Sequence, residues 1–326
     1  MSDARGMGGI IEEKRAEIAA LRKDISLWWG ETDADGNVSL TMKTKARNIV
    51  GGESLTGGGR IALLIIDPQK DFHSGGALAV PGADGDCART KAFVKKHAGS
   101  IDAVVVTLDS HSVMHIAHPS FWEKGGDPTA RPAPFTELRA DAIARGEWRA
   151  RDPRLRVWAI EYARQLEAGG RFTLVVWPEH CLVGSEGHAV AAPIRDAIND
   201  WSRASGKAIA WLTKGANDRT EMYSCFKAEV EIRDDPWSAR YDELILALAE
   251  FDKVVVCGQA KSHCVNYSVR DLVDAWPPAK SKADIVLLND ATSPVASFEA
   301  AAAAFEADMR AAGVTIATTA SFPDAA

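Results

Sequence analysis

From about residue 61 onward the chain alternates short apolar runs with amphipathic stretches. Apolar runs of five or six residues predict buried β-strands, and apolar positions at helical spacing predict α-helices. The predicted strands lie near Ala62–Ile66, Ala103–Leu108, Phe172–Val176, Ala208–Thr213, Lys253–Cys257, Asp284–Leu288 and Val314–Thr318. The predicted helices are Arg154–Glu167, Arg195–Ser205, Tyr241–Glu250, Val265–Ala275 and Ser297–Ala312. This alternation predicts an α/β protein with a parallel sheet covered on both faces.

The first 60 residues follow a different pattern. Ile10 to Trp29 has the apolar spacing of an amphipathic helix, whereas Glu31 to Gly59 contains six glycines and is typical of an irregular connector. We therefore predict an extension, residues 1–60, ahead of a domain formed by residues 61–326. The extension either covers part of the core or provides an oligomer contact or a lid over a site, and a contact is favoured.

Three predicted strands lead to a reactive side chain. Asp67 directly follows the first strand, Lys214 ends a later one, and Cys264 begins a predicted helix after another. Because the carboxyl ends of strands face the ligand crevice in open α/β sheets, these side chains are expected to converge. The free N–H groups at a helix N-terminus favour a thiolate, which predicts a lowered pKa and a nucleophilic role for Cys264. A buried structural cysteine is the alternative.

A second polar cluster follows the strand near Ala103–Leu108. It contains Asp109 and four of the eight histidines, which are His111, His115, His118 and His180. Neutral imidazole and carboxylate groups suit zinc, iron or manganese. Asp109 and His111 are two residues apart at an extended strand end and can point the same way. The alternative is a set of scattered surface histidines.

Several blocks of the chain resemble the nicotinamidase and isochorismatase-like cysteine hydrolases. The blocks are Asp67-Pro-Gln-Lys-Asp-Phe, Thr213-Lys-Gly and Gly258-Gln-Ala-Lys-Ser-His-Cys-Val, and the resemblance extends from about Ile61 to about Thr319. It implies a three-layer α/β/α fold with a mainly parallel six-stranded sheet of Rossmann-like topology. It also implies a catalytic triad of Asp67, Lys214 and Cys264.

The same resemblance implies a metal site. Nicotinamidases carry Asp-x-His and then Trp-Pro-x-His-Cys, which match Asp109, His111 and His180 in this chain. The implied cofactor is a divalent metal ion, with zinc expected first and iron or manganese as alternatives. A fourth ligand would be either His115 or His118, and the sequence leaves that choice open.

The family also implies how a substrate would be held. Its oxyanion is bound by backbone N–H groups that match those of Ala260 and Cys264, next to a cis peptide bond that matches the one between Gln259 and Ala260. Its aromatic substrate contacts match Phe72, Trp177 and Tyr223.

These features predict a metal-dependent amidohydrolase of the nicotinamidase type, which converts a small pyridine carboxamide to acid and ammonia through a cysteine thioester. A related cysteine amidase acting on another small amide or a carbamoyl compound is the alternative within enzymes, ahead of vinyl-ether hydrolysis of the isochorismatase type. A catalytically silent binding member of the family is the alternative from another class. An insertion at about residues 123–170 could cap the pocket and change which amide enters.

Composition narrows the expected partners. The chain has 326 residues, 46% of them hydrophobic, and a net charge of −7, which argues against nucleic acid or an anionic membrane as partner. Five irregularly spaced cysteines do not form a disulfide framework and fit a reducing compartment. No signal peptide or membrane span is evident. We expect a cytoplasmic homo-oligomer with a small-molecule amide substrate.

Overall fold

The computed structural model describes residues 60–323. The predicted amphipathic helix at Ile10–Trp29 and the connector after it lie outside the described residues. Their expected part in an oligomer contact stays a prediction.

A six-stranded sheet forms the centre of the described chain, and all of its strands are parallel. Its strand order is β10-β9-β8-β1-β2-β7. The strands are β1 (Ile61–Ile66), β2 (Ile101–Asp109), β7 (Ala210–Lys214), β8 (Lys253–Gly258), β9 (Ile285–Leu288) and β10 (Thr315–Ala317). The remaining strands are β3 (Trp122–Lys124), β4 (Thr136–Leu138), β5 (Trp148–Ala150) and β6 (Leu174–Val176).

Helices cover both faces of this sheet. The helices are α1 (Ala83–Lys96), α2 (Ala140–Ala144), α3 (Arg156–Gly169), α4 (Ala192–Ser205), α5 (Asp242–Ala249), α6 (Cys264–Asp274) and α7 (Glu299–Ala311). Side chains of β1 alternate between two apolar clusters: Leu63 packs with α1 and α4, whereas Leu64 packs in the cluster that includes α3, α5, α6 and α7. Both faces of β1 are therefore buried, as expected for a parallel sheet, and the predicted three-layer α/β/α fold is confirmed.

One predicted strand does not belong to the central sheet. The run at Phe172–Val176 forms the short strand β6, which pairs antiparallel with β4 in a separate two-stranded sheet. The prediction placed it in the parallel sheet because an apolar run indicates burial, but its residues are buried against the segment that contains β4 and α2. Periodicity alone reports burial and does not identify the partner strand.

The segment around residues 123–170 is folded and carries α2 and α3. Its strands β3 and β5 pair antiparallel, and α3 buries Tyr162 and Leu166 in the main apolar cluster. No helix within residues 60–323 is long and apolar enough to cross a membrane.

Four adjacent strands place the polar residues at one edge of the sheet. Asp67 follows β1, Asp109 ends β2, Lys214 ends β7, and the turn after β8 leads to Cys264 at the start of α6. Asp109 and Lys214 are paired in register across β2 and β7. The order β8-β1-β2-β7 therefore brings these four side chains together, as predicted from their positions after the strands.

Candidate active site

The three predicted triad residues lie in one buried cluster. Lys214 Nζ is 2.9 Å from Asp67 Oδ2 and donates to Cys264 Sγ at 3.5 Å. Its ammonium also lies 3.1 Å from Asp109 Oδ1 and donates to the Met222 carbonyl at 2.9 Å. One lysine thus bridges the candidate nucleophile, the candidate acid/base and a candidate metal ligand.

Burial sets the protonation states of this cluster. Desolvation raises the pKa of the Asp67 carboxyl, although Lys214 opposes the shift. Desolvation also raises the pKa of the Cys264 thiol well above its ordinary value, with Lys214 again opposing. Burial acts against the Lys214 ammonium, but Asp109 and Asp67 outweigh it and raise its pKa.

The predicted lowering of the Cys264 pKa is therefore wrong for the resting site. The helix N-terminus and the lysine do favour a thiolate, but the thiol is only 6% exposed and two carboxylates lie nearby. In a low-dielectric site that desolvation outweighs the helix dipole. The thiol must therefore lose its proton to a neighbour during reaction.

Two side chains outside the triad hold the strand ends in place. Thr107 donates its hydroxyl to Asp67 Oδ1 and accepts the Asp67 N–H at 2.9 Å. Gln69 accepts the Asp109 N–H and donates to the Asp109 carbonyl, both at 2.7 Å. Sequence reasoning did not single out either residue, although Gln69 sits inside the Asp67-Pro-Gln block.

The N-terminus of α6 presents free backbone donors beside the thiol. The peptide bond between Gln259 and Ala260 is cis, as the family resemblance implied. No carbonyl within residues 60–323 accepts the N–H of Ala260 or of Cys264. The two predicted oxyanion donors are therefore available.

The predicted metal ligands also come together. Asp109 Oδ2 lies 3.0 Å from His111 Nε2 and 3.4 Å from His180 Nε2. A ring nitrogen from each of His111, His118 and His180 lies within 4.8 Å of the other two. The Nδ1 atoms of these three rings contact the carbonyls of Gly215, Ser112 and Pro178, at 3.0, 3.1 and 2.8 Å respectively.

This donor set fits a divalent transition metal. Metal-binding histidines characteristically engage a carbonyl or carboxylate with the ring nitrogen that does not bind the metal. His118 Nε2 is buried and has no hydrogen-bond partner among the described residues, and His111 Nε2 faces the Asp109 carboxylate, the other candidate ligand beside it. Desolvation, together with neighbouring histidines, lowers the pKa of His118 to about 2, so its ring is neutral and offers a lone pair.

The structure distinguishes the two histidines that the sequence left open. Both ring nitrogens of His115 are engaged: Nε2 contacts the Thr220 carbonyl at 3.1 Å, and Nδ1 accepts the Ala117 N–H at 3.3 Å. His118 instead leaves Nε2 free towards His111 and His180. The geometry favours His118 as a fourth ligand.

Gly215 allows the candidate metal ligands Asp109 and His111 to pack closely against the backbone. Its φ is +72°, and a Cβ there would lie 2.7 Å from the His111 ring and 2.8 Å from Asp109 Oδ1. Any side chain at this position would displace both candidate ligands.

A cavity joins these groups. Its apolar wall contains all three predicted aromatic residues, together with two aliphatic ones: Phe72, Trp177, Tyr223, Leu78 and Val295. Its polar wall contains Asp109, His180, Glu221 and His263, and it reaches Ala260 and Cys264. Trp177 Nε1 donates to the Tyr223 hydroxyl at 2.9 Å, which fixes both rings. The sequence analysis singled out neither Glu221 nor His263, although each lies within two residues of a predicted site residue, Tyr223 and Cys264 respectively.

Comparisons with known proteins point the same way. A curated nicotinamidase from Escherichia coli strain K12 is 26% identical over 215 residues, which cover 64% of this chain and 75% of that protein. No protein-family model matches the chain.

Solved structures share the fold. A nicotinamidase/pyrazinamidase from Acinetobacter baumanii superposes with a TM-score of 0.55 at 19% identity, over 81% of this chain and 99% of that one. The yeast nicotinamidase gives 0.54 at 17% identity, over 79% and 99% respectively.

The fold and the buried cysteine are in line with these similarities. Among known proteins the chain is similar to the nicotinamidases in both sequence and fold, and the predicted resemblance is confirmed.

Proposed function

We propose that the chain is a metal-dependent amidohydrolase of the nicotinamidase type. One observation carries the proposal: at one cavity, the Asp67–Lys214–Cys264 cluster lies beside Asp109, which also contacts the candidate metal ligands His111 and His180. Its reaction is hydrolysis of a small pyridine carboxamide to the carboxylic acid and ammonia.

The chemistry begins at the thiol. Asp67 takes the proton of Cys264, and Sγ attacks the carboxamide carbon. The N–H groups of Ala260 and Cys264 hold the oxyanion that develops. Asp67 returns the proton to the leaving amine, so ammonia departs and a thioester remains. Asp67 then takes a proton from water as the water oxygen attacks the thioester carbon, and returns that proton to the departing Sγ, which releases the acid and regenerates the thiol.

Lys214 stabilises the negative charges that form during these reaction steps. Its ammonium, buried and 2.9 Å from Asp67, offsets negative charge as it moves between the carboxylate and the sulfur. Without a cation there, a thiolate would form beside two carboxylates in a low-dielectric site, which is costly.

The metal-binding residues would orient the substrate. Asp109, His111, His118 and His180 would hold a divalent ion, with zinc the first candidate. An ion held there would supply a Lewis acid for the nitrogen of a pyridine ring. Phe72, Trp177 and Tyr223 line the cavity and suit a flat aromatic ring.

The runner-up is a cysteine amidase with the same machinery and a different small amide or carbamoyl substrate. The segment around residues 123–170 supports this alternative, because its helix α3 contacts the loop that carries Glu221 into the cavity and so can influence which amide binds. Neither vinyl-ether hydrolysis nor a silent binding role requires the buried Asp67–Lys214–Cys264 cluster or the candidate metal ligands.

Ammonia release tests the proposal. The purified protein, loaded with zinc, iron or manganese in turn, is incubated with nicotinamide, pyrazinamide and aliphatic amides, and ammonia and acid are quantified. Equimolar ammonia and acid from the pyridine-type amides are expected. Good turnover of an aliphatic amide beside none of nicotinamide would replace the proposal with the runner-up.

A further inference from the structure

A buried carboxylate in the cavity wall has no part in the mechanism. Glu221 is 2% exposed and lines the same cavity as Cys264. Its Oε1 accepts the Met222 N–H at 2.9 Å, and this is the single hydrogen bond that residues 60–323 provide to the carboxylate. None of the described cationic side chains forms an ion pair with it. A carboxylate has about four acceptor sites, so most of its capacity is left over.

Glu221 lies on the side of the cavity that carries the candidate metal ligands Asp109 and His180, which we call the metal-ligand side. One of its oxygens and a ring nitrogen from each of His111 and His115 lie within 4.8 Å of one another. These three residues do not make a second metal site, because both nitrogens of His115 are engaged by Thr220 and Ala117. Because Glu221 lines the cavity, its remaining acceptor sites are available to whatever occupies that cavity.

The inserted helix α3 fixes the loop that carries Glu221. The Tyr162 hydroxyl accepts the Glu221 N–H at 3.0 Å, and Trp158 Nε1 donates to the Arg219 carbonyl at 2.8 Å. Tyr162 is fully buried, so the loop rests on a rigid surface. A carboxylate held this way cannot readily turn to water.

The free-energy cost of burying Glu221 with one hydrogen bond indicates what kind of ligand the cavity binds. Burying an under-bonded carboxylate is unfavourable, and a ligand that donates a hydrogen bond to it recovers that cost. An apolar group at the same place recovers nothing, which is how a built polar site discriminates between similar substrates.

We propose that Glu221 is a specificity-determining residue, and that the preferred substrate is an amide whose ring or body carries an N–H donor, such as an amino group, on the metal-ligand side. This inference rests on the proposed amidohydrolase function and names the substrate class within it.

The test compares matched substrates. Nicotinamides with an amino group at each free ring carbon in turn are set against nicotinamides with a methyl group at the same carbon, and kcat/KM is measured for each pair. At one or more positions the wild type should favour the amino compound at least about tenfold. Glu221→Met, which keeps the chain length and removes the carboxylate, should bring that ratio close to one.

A matched control uses another buried acid. Glu229→Gln changes a carboxylate whose side chain is 3% exposed and does not line the cavity, and it should leave the amino-to-methyl ratio at the wild-type value. Metal content is measured in each variant by elemental analysis. Loss of metal in Glu221→Met would mark Glu221 as a ligand and overturn the inference, as would an unchanged ratio.

Binding separates this inference from the proposed function. Calorimetry with metal-loaded Cys264→Ala should show the same amino preference in affinity, even for compounds that are not cleaved. Hydrolysis of nicotinamide with no amino preference would overturn the role of Glu221 alone. Failure of every amide to be cleaved, beside a clear amino preference in binding, would overturn the proposed reaction alone.

Discussion

The two sides of the cavity are built in different ways. The Cys264 side is placed by the parallel sheet, since Asp67, Lys214 and Cys264 each stand at or just beyond a strand end. The Glu221 side is placed by a loop that rests on helix α3, which lies outside the central sheet. The contrast teaches that the central sheet fixes the candidate triad, whereas structure outside that sheet helps to set what else the cavity touches.

The largest effect should follow from a change on the sheet-built side. Cys264→Ala removes the attacking atom, so turnover should fall by a factor on the order of 10⁴ or more, with metal content and fold retained. The measurement is ammonia release with circular dichroism and elemental analysis as checks. Cys257→Ala, within β8 and away from the cavity, is the control and should stay active. Substantial activity in Cys264→Ala would remove the covalent mechanism.

The metal-ligand set gives the next prediction. His118→Ala should weaken metal binding by at least about 100-fold, since losing a partner outside the ligand shell already costs 10–100-fold. His115→Ala should keep the metal, because both nitrogens of His115 already serve the backbone. Metal titration monitored by calorimetry measures both variants. Loss of metal binding in His115→Ala, with metal binding retained in His118→Ala, would identify His115 as the ligand.

The pH dependence should report the buried Asp67. Burial raises its pKa above the ordinary value of 3.8, and the reaction needs the ionised form to accept the Cys264 proton. Activity should therefore rise with pH through an acid limb that lies above 3.8. A pH profile of kcat/KM, with metal content checked at each pH, measures it. An acid limb at or below 3.8 would contradict the assignment of Asp67 as the base.

The smallest effect should come from the insertion. Tyr162→Phe removes one hydrogen bond to the Glu221 N–H, worth about 1 kcal/mol, so the amino-to-methyl ratio should fall about fivefold. Turnover of plain nicotinamide should change less. Val157→Ala, on the exposed side of α3, is the control and should leave the ratio unchanged. Equal changes in both variants would mean that α3 does not position Glu221.

Most of the sheet-built side could be predicted from sequence. Asp67, Lys214 and Asp109 follow apolar runs, and topology brings such strand ends together whatever the loops do. The central strands were predicted for the same reason. The run at Phe172–Val176 was assigned to the wrong sheet because burial does not reveal which strand is the partner.

The remaining features depend on tertiary contacts that no local pattern encodes. The choice of His118 over His115 rests on which carbonyls happen to lie beside each ring. The raised pKa of Cys264 follows from the depth of burial and two carboxylates from other strands. The position of Glu221 in the cavity wall depends on contacts between its loop and other segments, including α3.

The relative rates on nicotinamide and benzamide test the central claim most directly. The two amides have the same shape, but benzamide lacks the ring nitrogen that a metal held by Asp109, His111, His118 and His180 would contact. With metal-loaded protein, kcat/KM for nicotinamide should exceed that for benzamide by a large factor, on the order of 10⁴ in the favourable case. Equal rates on the two amides would contradict the account.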